Sequence, residues 1–139
     1  NATFAYGIVI QGGSTNFVRG NFIGTDASGT VALGNTIGIG LESLTTANVI
    51  GGTTVAERNI ISGNLQFGVR IGSVTDNLVQ GNYIGTAIDG TSDLGNNDRG
   101  IAIFNSSRNR VGGTSPNEAN IIAFTKDTGT GFGYGVGVN

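Results

Sequence analysis

The segment Gly-Ile-Val-Ile at 7–10 returns as Gly-Ile-Gly-Leu at 38–41, Gly-Val-Arg-Ile at 68–71, Gly-Ile-Ala-Ile at 100–103 and Gly-Val-Gly-Val at 135–138. A spacing of roughly 30 residues marks a stacked-repeat architecture, in which each unit buries its apolar side against its neighbours rather than within itself. The chain therefore reads as one solenoid domain over 1–139. Its rungs fall at 7–37, 38–67, 68–99 and 100–134, with a partial rung at 135–139.

Each unit carries three short apolar stretches in a fixed order. In the first unit they are Ile8 and Ile10, then Asn16-Phe17-Val18, then Asn21-Phe22-Ile23. The later units give Ile39, Leu41, Ile50 and Ile61, then Val69, Ile71, Val79 and Ile84, then Ile101, Ile103, Val111 and Ile122 at the matching places. Strand alternation sends every second side chain inward. The reading therefore places these aliphatic residues in four core columns and turns Val9, Phe17 and Phe22 outward. β-branched and leucine side chains suit such a pleated interior. The expected fold is all-β: a right-handed parallel β-helix with three short strands per rung and about four and a third rungs.

Stacking makes neighbours of like residues. Asn16, Asn48, Asn77 and Asn109 are expected in one column, and Asn21, Asn59, Asn82 and Asn120 in another, with amide ladders satisfying the corners. A second period overlies the first. Long insertions follow the third strand in units one and three, at 25–36 and 86–99. In units two and four they fall between strands two and three, at 51–58 and 112–119. The complete repeat is thus a pair of turns, about 61 residues long.

Composition narrows the chemistry. Twenty-six glycines and one proline, with few long straight-chain residues, disfavour helix. There is no Cys, His, Met or Trp, so thiol and imidazole chemistry, disulfides and the usual zinc ligand sets are excluded. A net charge of −2 with scattered cations gives no footprint for nucleic acid, and no apolar run is long enough for membrane insertion. Low charge and abundant Thr, Ser, Asn and Gly fit an extracellular or cell-surface protein. The start at Asn1 reads as a mature or excised segment.

The strings NFIGTDASGTVALGN, NVIGGTTVAERNIISGN and NYIGTAIDGTSDLGNN resemble the Asn/Gly-rich parallel β-helix repeats of large secreted or surface-anchored bacterial proteins. The resemblance covers nearly the whole chain. It implies right-handed winding and membership of the wider pectate-lyase-like superfamily, which holds polysaccharide-cleaving enzymes alongside adhesins and inert stalks. Enzymatic members use clustered carboxylates, often with calcium. Here Asp26 matches Ala87, Asp89 matches Ser28, and the matching pair Glu57 and Glu118 lies two rungs apart, so no catalytic residue is assigned and no cofactor is expected.

Asp89, Asp93 and Asp98, with Asn96 and Asn97, are the candidate calcium ligands, although their spacing fits no calcium loop. Asn1-Ala2-Thr3 and Asn105-Ser106-Ser107 meet the glycosylation sequon. Phe22, Ile60, Tyr83 and Ile121 form an outward stripe, either covered by Leu33 and Leu94 or available for lateral packing.

The ends give the most pointed expectation. FAYG at 4–7 matches FGYG at 132–135 in phase, and neither end carries a polar, divergent cap. Phe4, Tyr6, Ile8 and Ile10 are accordingly expected to meet Phe132, Tyr134, Val136 and Val138 of another subunit, or the chain is a length cut from a longer solenoid. The partial fifth rung leaves a ledge that simple stacking does not fill. The functional expectation is an extracellular, non-enzymatic structural protein whose partner is itself, in a filament or a surface stalk. The alternative is a polysaccharide-binding or polysaccharide-cleaving module using Tyr83, Phe22 and the acidic loops.

Overall fold

The computed structural model describes residues 5–129 and 131–139, so Phe4 and the first sequon lie outside the described residues. The first rung is β1 (Tyr6–Gln11), β2 (Phe17–Val18) and β3 (Phe22–Ile23), and the second is β4 (Ile37–Glu42), β5 (Val49–Gly51) and β6 (Ile60–Ile61). The third is β7 (Phe67–Gly72), β8 (Leu78–Gln80) and β9 (Tyr83–Ile84); the fourth is β10 (Arg99–Phe104), β11 (Arg110–Val111) and β12 (Ile121–Ile122). A fifth rung holds β13 (Tyr134–Val138). Each first-sheet strand begins one residue before the rung boundary read from sequence.

Like strands stack in parallel. The first sheet runs β1-β4-β7-β10-β13, the second β2-β5-β8-β11 and the third β3-β6-β9-β12. The register joins Ile8, Ile39, Val69, Ile101 and Val136 in one column, and Ile10, Leu41, Ile71, Ile103 and Val138 in the next. Val18, Ile50, Val79 and Val111 align in the second sheet, and Ile23, Ile61, Ile84 and Ile122 in the third. Apart from the exposed Val136 and Val138, these four columns form a single core cluster, to which Val74 is added. No described helix is long and apolar enough to cross a membrane.

The glycine that opens every repeat follows from this packing. A Cβ on Gly38 would come within 2.8 Å of Ile61 Cγ2, and one on Gly68 within 2.9 Å of Ile84 Cγ2. The glycine column is where the first sheet packs against the isoleucines of the third. Only a residue without a side chain leaves room there.

The corners are closed by asparagine. Asn16, Asn48, Asn77 and Asn109 form one ladder, each donating from its backbone N and Nδ2 to Oδ1 of the next, at 2.9–3.0 Å. Asn21, Asn59, Asn82 and Asn120 form the second ladder in the same sense. A third ladder, absent from the sequence reading, joins Asn35, Asn64 and Asn96 at the entry to the first sheet. Inner members such as Asn48, Asn59 and Asn64 are fully buried. Their bonds, each run in one direction along the axis, replace the backbone pairing that a corner interrupts.

The corner between the first and second sheets places Thr15, Ala47, Asp76 and Arg108 in the left-handed region, at φ 55–60°. Four non-glycine residues thus share one strained position. The ladder beside them, which begins one residue later in each rung, holds the turn in place.

Candidate functional site

Ionisable groups come first, because chemistry at a side face requires them. Each of the nine carboxylates already has a partner within the chain. Asp26 accepts from Ser28 Oγ and from the amides of Thr30 and Val31, and Asp89 from Ser92 Oγ and from the amides of Thr91 and Ser92. These bonds hold Asp26 below the usual carboxylate range and bring Asp89 down to about 2. Glu57 and Glu118 each reach back to two amides at the start of a short 3-10 turn, and pair with Arg19 and Arg110. Asp127 accepts from Gly129 and Gly131.

The calcium candidates do not converge. Asp89 closes its own turn, Asp93 accepts from Gly95 and lies 3.6 Å from Lys126, and Asp98 lies 3.9 Å from Arg99. Asn96 belongs to the third ladder, its Nδ2 donating to the carbonyl of Ile61. No group of three acidic, His or Cys residues able to hold a metal occurs among the described residues.

The outer stripe is partly covered, and the insertion tips contribute to the cover. Leu33 is 65% exposed, whereas Ile60 is buried. Cover comes from the insertion tips: a Cβ on Gly29 would lie 2.8 Å from the Phe22 ring, and one on Gly90 2.7 Å from the Tyr83 ring. The two tips also bond to each other, Ile88 N donating to Gly29 O at 3.0 Å. The Asp26 and Asp89 turns fold each tip back; Leu33 lines a hollow together with Phe22, and Leu94 is half-buried. Arg58 lies 4.1 Å above the Tyr83 ring, occupying a face that sugar stacking would use. Between the stripe and the tips runs a groove of about 120 Å³ lined by Phe22, Val55, Arg58, Ile60 and Ile88. Ile121, on the last rung of the third sheet, is more open than Ile60.

A second covered patch was not legible beforehand. On the outer wall of the first sheet, Tyr6, Ile37, Phe67, Arg99 and Tyr134 form one column. Tyr6 donates its hydroxyl to Glu42, which also pairs with Arg70, and burial raises the phenol's pKa. Arg99 is almost fully buried, its guanidinium 4.9 Å from the Phe132 ring and 5.2 Å from that of Phe104. Burial raises the pKa of the adjacent Asp98 against the pull of Arg99. A lone arginine in an otherwise apolar column was the available signal.

The expected assembly residues accordingly divide into two sets. Tyr6 and Tyr134 lie on the outer wall, with Phe132 edge-on to Tyr134 at 6.1 Å. Ile8, Ile10, Val136 and Val138 cap the core columns. Ile39, Leu41, Val69, Ile71 and Ile101 are fully buried, yet Val136 is 44% and Val138 71% exposed, while Ile8 and Ile10 are half-buried. The ends also differ chemically. Among the described residues nothing donates to Oδ1 of Asn16, Asn21 or Asn35, so the β1 end presents acceptors. At the other end, Asn109 and Asn120 hand no bond on to a further rung among the described residues, and their Nδ2 groups donate to the carbonyls of Val74 and Val79. Searches against protein-family models, curated proteins and solved structures find no match for this chain.

Proposed function

We propose that the chain is a structural, non-enzymatic element whose column is continued along its axis by further solenoid turns, as part of a surface stalk or filament. The observation that carries this reading is the exposure of the core columns at their ends. Val136 and Val138 extend columns whose inner members are fully buried, and they stand 44% and 71% exposed. Covering such side chains is worth about 1.5–3 kcal/mol each. Among the described residues β1 and β13 are the outermost strands of the first sheet, and a strand edge is satisfied by another strand. The directed ladders add polarity: donors at one end meet acceptors at the other, so continuation runs head to tail.

An extracellular or cell-surface setting belongs to the same proposal, supported by the low charge and the absence of Cys and Met. So does placement among the non-catalytic Asn/Gly-rich repeats of bacterial surface proteins, supported by the three ladders. The engagement of every carboxylate in a turn or an ion pair favours a scaffold over a hydrolase.

The test extends the chain. Asn139 occupies the place of Gln11 beside the fourth rung, so a second copy beginning at Gly12 can follow Asn139 directly. In a solenoid, stability grows with each neighbour interface. The extended chain is expected to unfold in one transition, at a higher temperature than the single chain. Two transitions, with one at the single-chain temperature, would sink the proposal.

A further inference from the structure

One charged side chain stands without a counter-ion. The chain has 7 cationic side chains, and all but Arg58 have a carboxylate partner. Its chain neighbour Glu57 is engaged by the amides of Thr53 and Thr54 and by Arg19, at 2.8 Å. Arg58 donates from Nε to the carbonyl of Gly81 at 3.3 Å and lies on the Tyr83 ring. Those two contacts fix the guanidinium plane, while its terminal amino groups have no acceptor among the described residues.

The turn itself does not require this arginine. The matching insertion of the fourth rung builds the same capped 3-10 turn, with Glu118 reaching back as Glu57 does, and there Ala119 stands in the place of Arg58. A half-buried guanidinium gives up part of its hydration, and here it gains no ion partner within the chain in return.

Arg58 forms one wall of the groove of about 120 Å³ beneath the insertion tips. The rest of the lining is apolar, and three of its side chains are well exposed: Phe22 at 41%, Ile88 at 49% and Val55 at 77%. Backbone bonds set these walls. Ile88 N donates to Gly29 O, and a Cβ on Gly29 would come within 3.1 Å of Ile88 Cβ and 2.8 Å of the Phe22 ring. Glycine at that tip lets Ile88 and Phe22 close in, while the 3-10 turn carries Val55 and Arg58.

A cavity of roughly 150 Å³ takes one benzene ring, so this groove suits a phenyl group or a short branched chain. One charge on its wall calls for one anion, and the planar arginine fork matches the two oxygens of a carboxylate. A stable protein interface would need about 20–30 residues on each side, far more than line this groove. We propose that the groove is a binding site for a small apolar monocarboxylate, its hydrocarbon end seated among Phe22, Val55 and Ile88 over Ile60 and its carboxylate paired with Arg58. The site lies on the outer face of the third sheet. It goes beyond the axial reading and does not rest on it.

Phenylacetate is the probe, titrated into the isotopically labelled full chain and followed by amide chemical shifts. Phenylacetamide serves as the uncharged isostere and acetate as the head group alone. Phenylacetate is expected to shift the amides of Arg58, Ile60 and Ile88 saturably, with a Kd of about 1 mM, the range open to so small a ligand. Phenylacetamide should bind several-fold more weakly, and acetate should not saturate. Arg58→Gln should lose the preference for the acid over the amide. Val55→Glu, at an exposed site that the fold does not depend on, places a carboxylate beside Arg58 and should abolish binding of phenylacetate. Saturable shifts confined to the groove and lost in Val55→Glu support the site. No saturation well above the expected Kd, shifts on another face, equal binding of the amide, or unchanged binding in Val55→Glu overturns it. Shifts of the same amides that grow with protein concentration alone would show a second copy filling the groove, and would overturn it too.

Discussion

Oδ1 of Asn77 accepts both the backbone N–H and the side-chain N–H of Asn48, at 3.0 and 2.9 Å, and both residues are buried. One oxygen therefore satisfies two donors on the rung below. Asn77→Ala strands both and should cost about 2–4 kcal/mol. Asn16→Ala strands no donor, because among the described residues nothing donates to its Oδ1, and should cost about 1 kcal/mol or less. Denaturant unfolding of the two variants measures the difference, and equal losses would deny the ladder its structural role.

Truncation of the core should follow position along the axis. Ile71→Ala, at a fully buried site in the third rung, is expected to cost about 2–5 kcal/mol. Ile8→Ala, in the same sheet but half-buried on the first rung, should cost roughly 1 kcal/mol. The comparison requires only equilibrium unfolding curves.

Ala47 holds φ at 55° on an exposed corner, where a Cβ is unfavourable and glycine is at ease. Ala47→Gly should stabilise the fold by about 0.5–1 kcal/mol, the relief of left-handed strain exceeding the added freedom of the unfolded chain. A lower midpoint for this variant would show that the corner is not strained.

Acid should weaken the fold. Asp76, hydrogen-bonded by Arg108, and Asp89, hydrogen-bonded by Ser92, are each held down to about 2. An unfolded aspartate titrates near 3.9, at about two units higher, so the unfolded chain binds more protons in that window. The stability these groups contribute is complete above about pH 4 and is lost as pH falls toward 2. Asp98 acts in the opposite sense, because burial raises its pKa and its contribution declines as pH rises through its titration. Melting temperatures between pH 2 and 6 should therefore fall toward acid, and less steeply in Asp89→Asn. Parallel profiles would show that the Asp89 turn does not govern the slope.

Fold and core were legible because stacking converts sequence period directly into spatial neighbours. Once Ile8, Ile39, Val69 and Ile101 are aligned in phase, their column follows, and so do the Asn48 and Asn59 ladders. The third ladder was hidden because Asn35 and Asn96 follow long insertions whereas Asn64 comes three residues after its third strand with none, so the three are out of phase in the sequence. Asn96 also lay within an acidic run and was grouped with Asp93 and Asp98. The outer wall was obscured by a change of phase: Gly7 and Ile8 both face inward, so Tyr6 points out although it is two residues from Ile8. Strict alternation cannot show that step, and with it went the covered position of Arg99. Which loop residue covers Phe22 was likewise set by the Asp26 turn, a local bond that hydrophobic pattern does not encode.

Small-angle X-ray scattering on the chain extended from Asn139 into a second copy at Gly12 tests axial continuation most directly. Four added rungs at about 4.8 Å each should lengthen the particle by roughly 19 Å at unchanged cross-section. The account predicts that rod. A scattering profile of two domains joined by a flexible link, with the cross-section of neither preserved along a common axis, would contradict it.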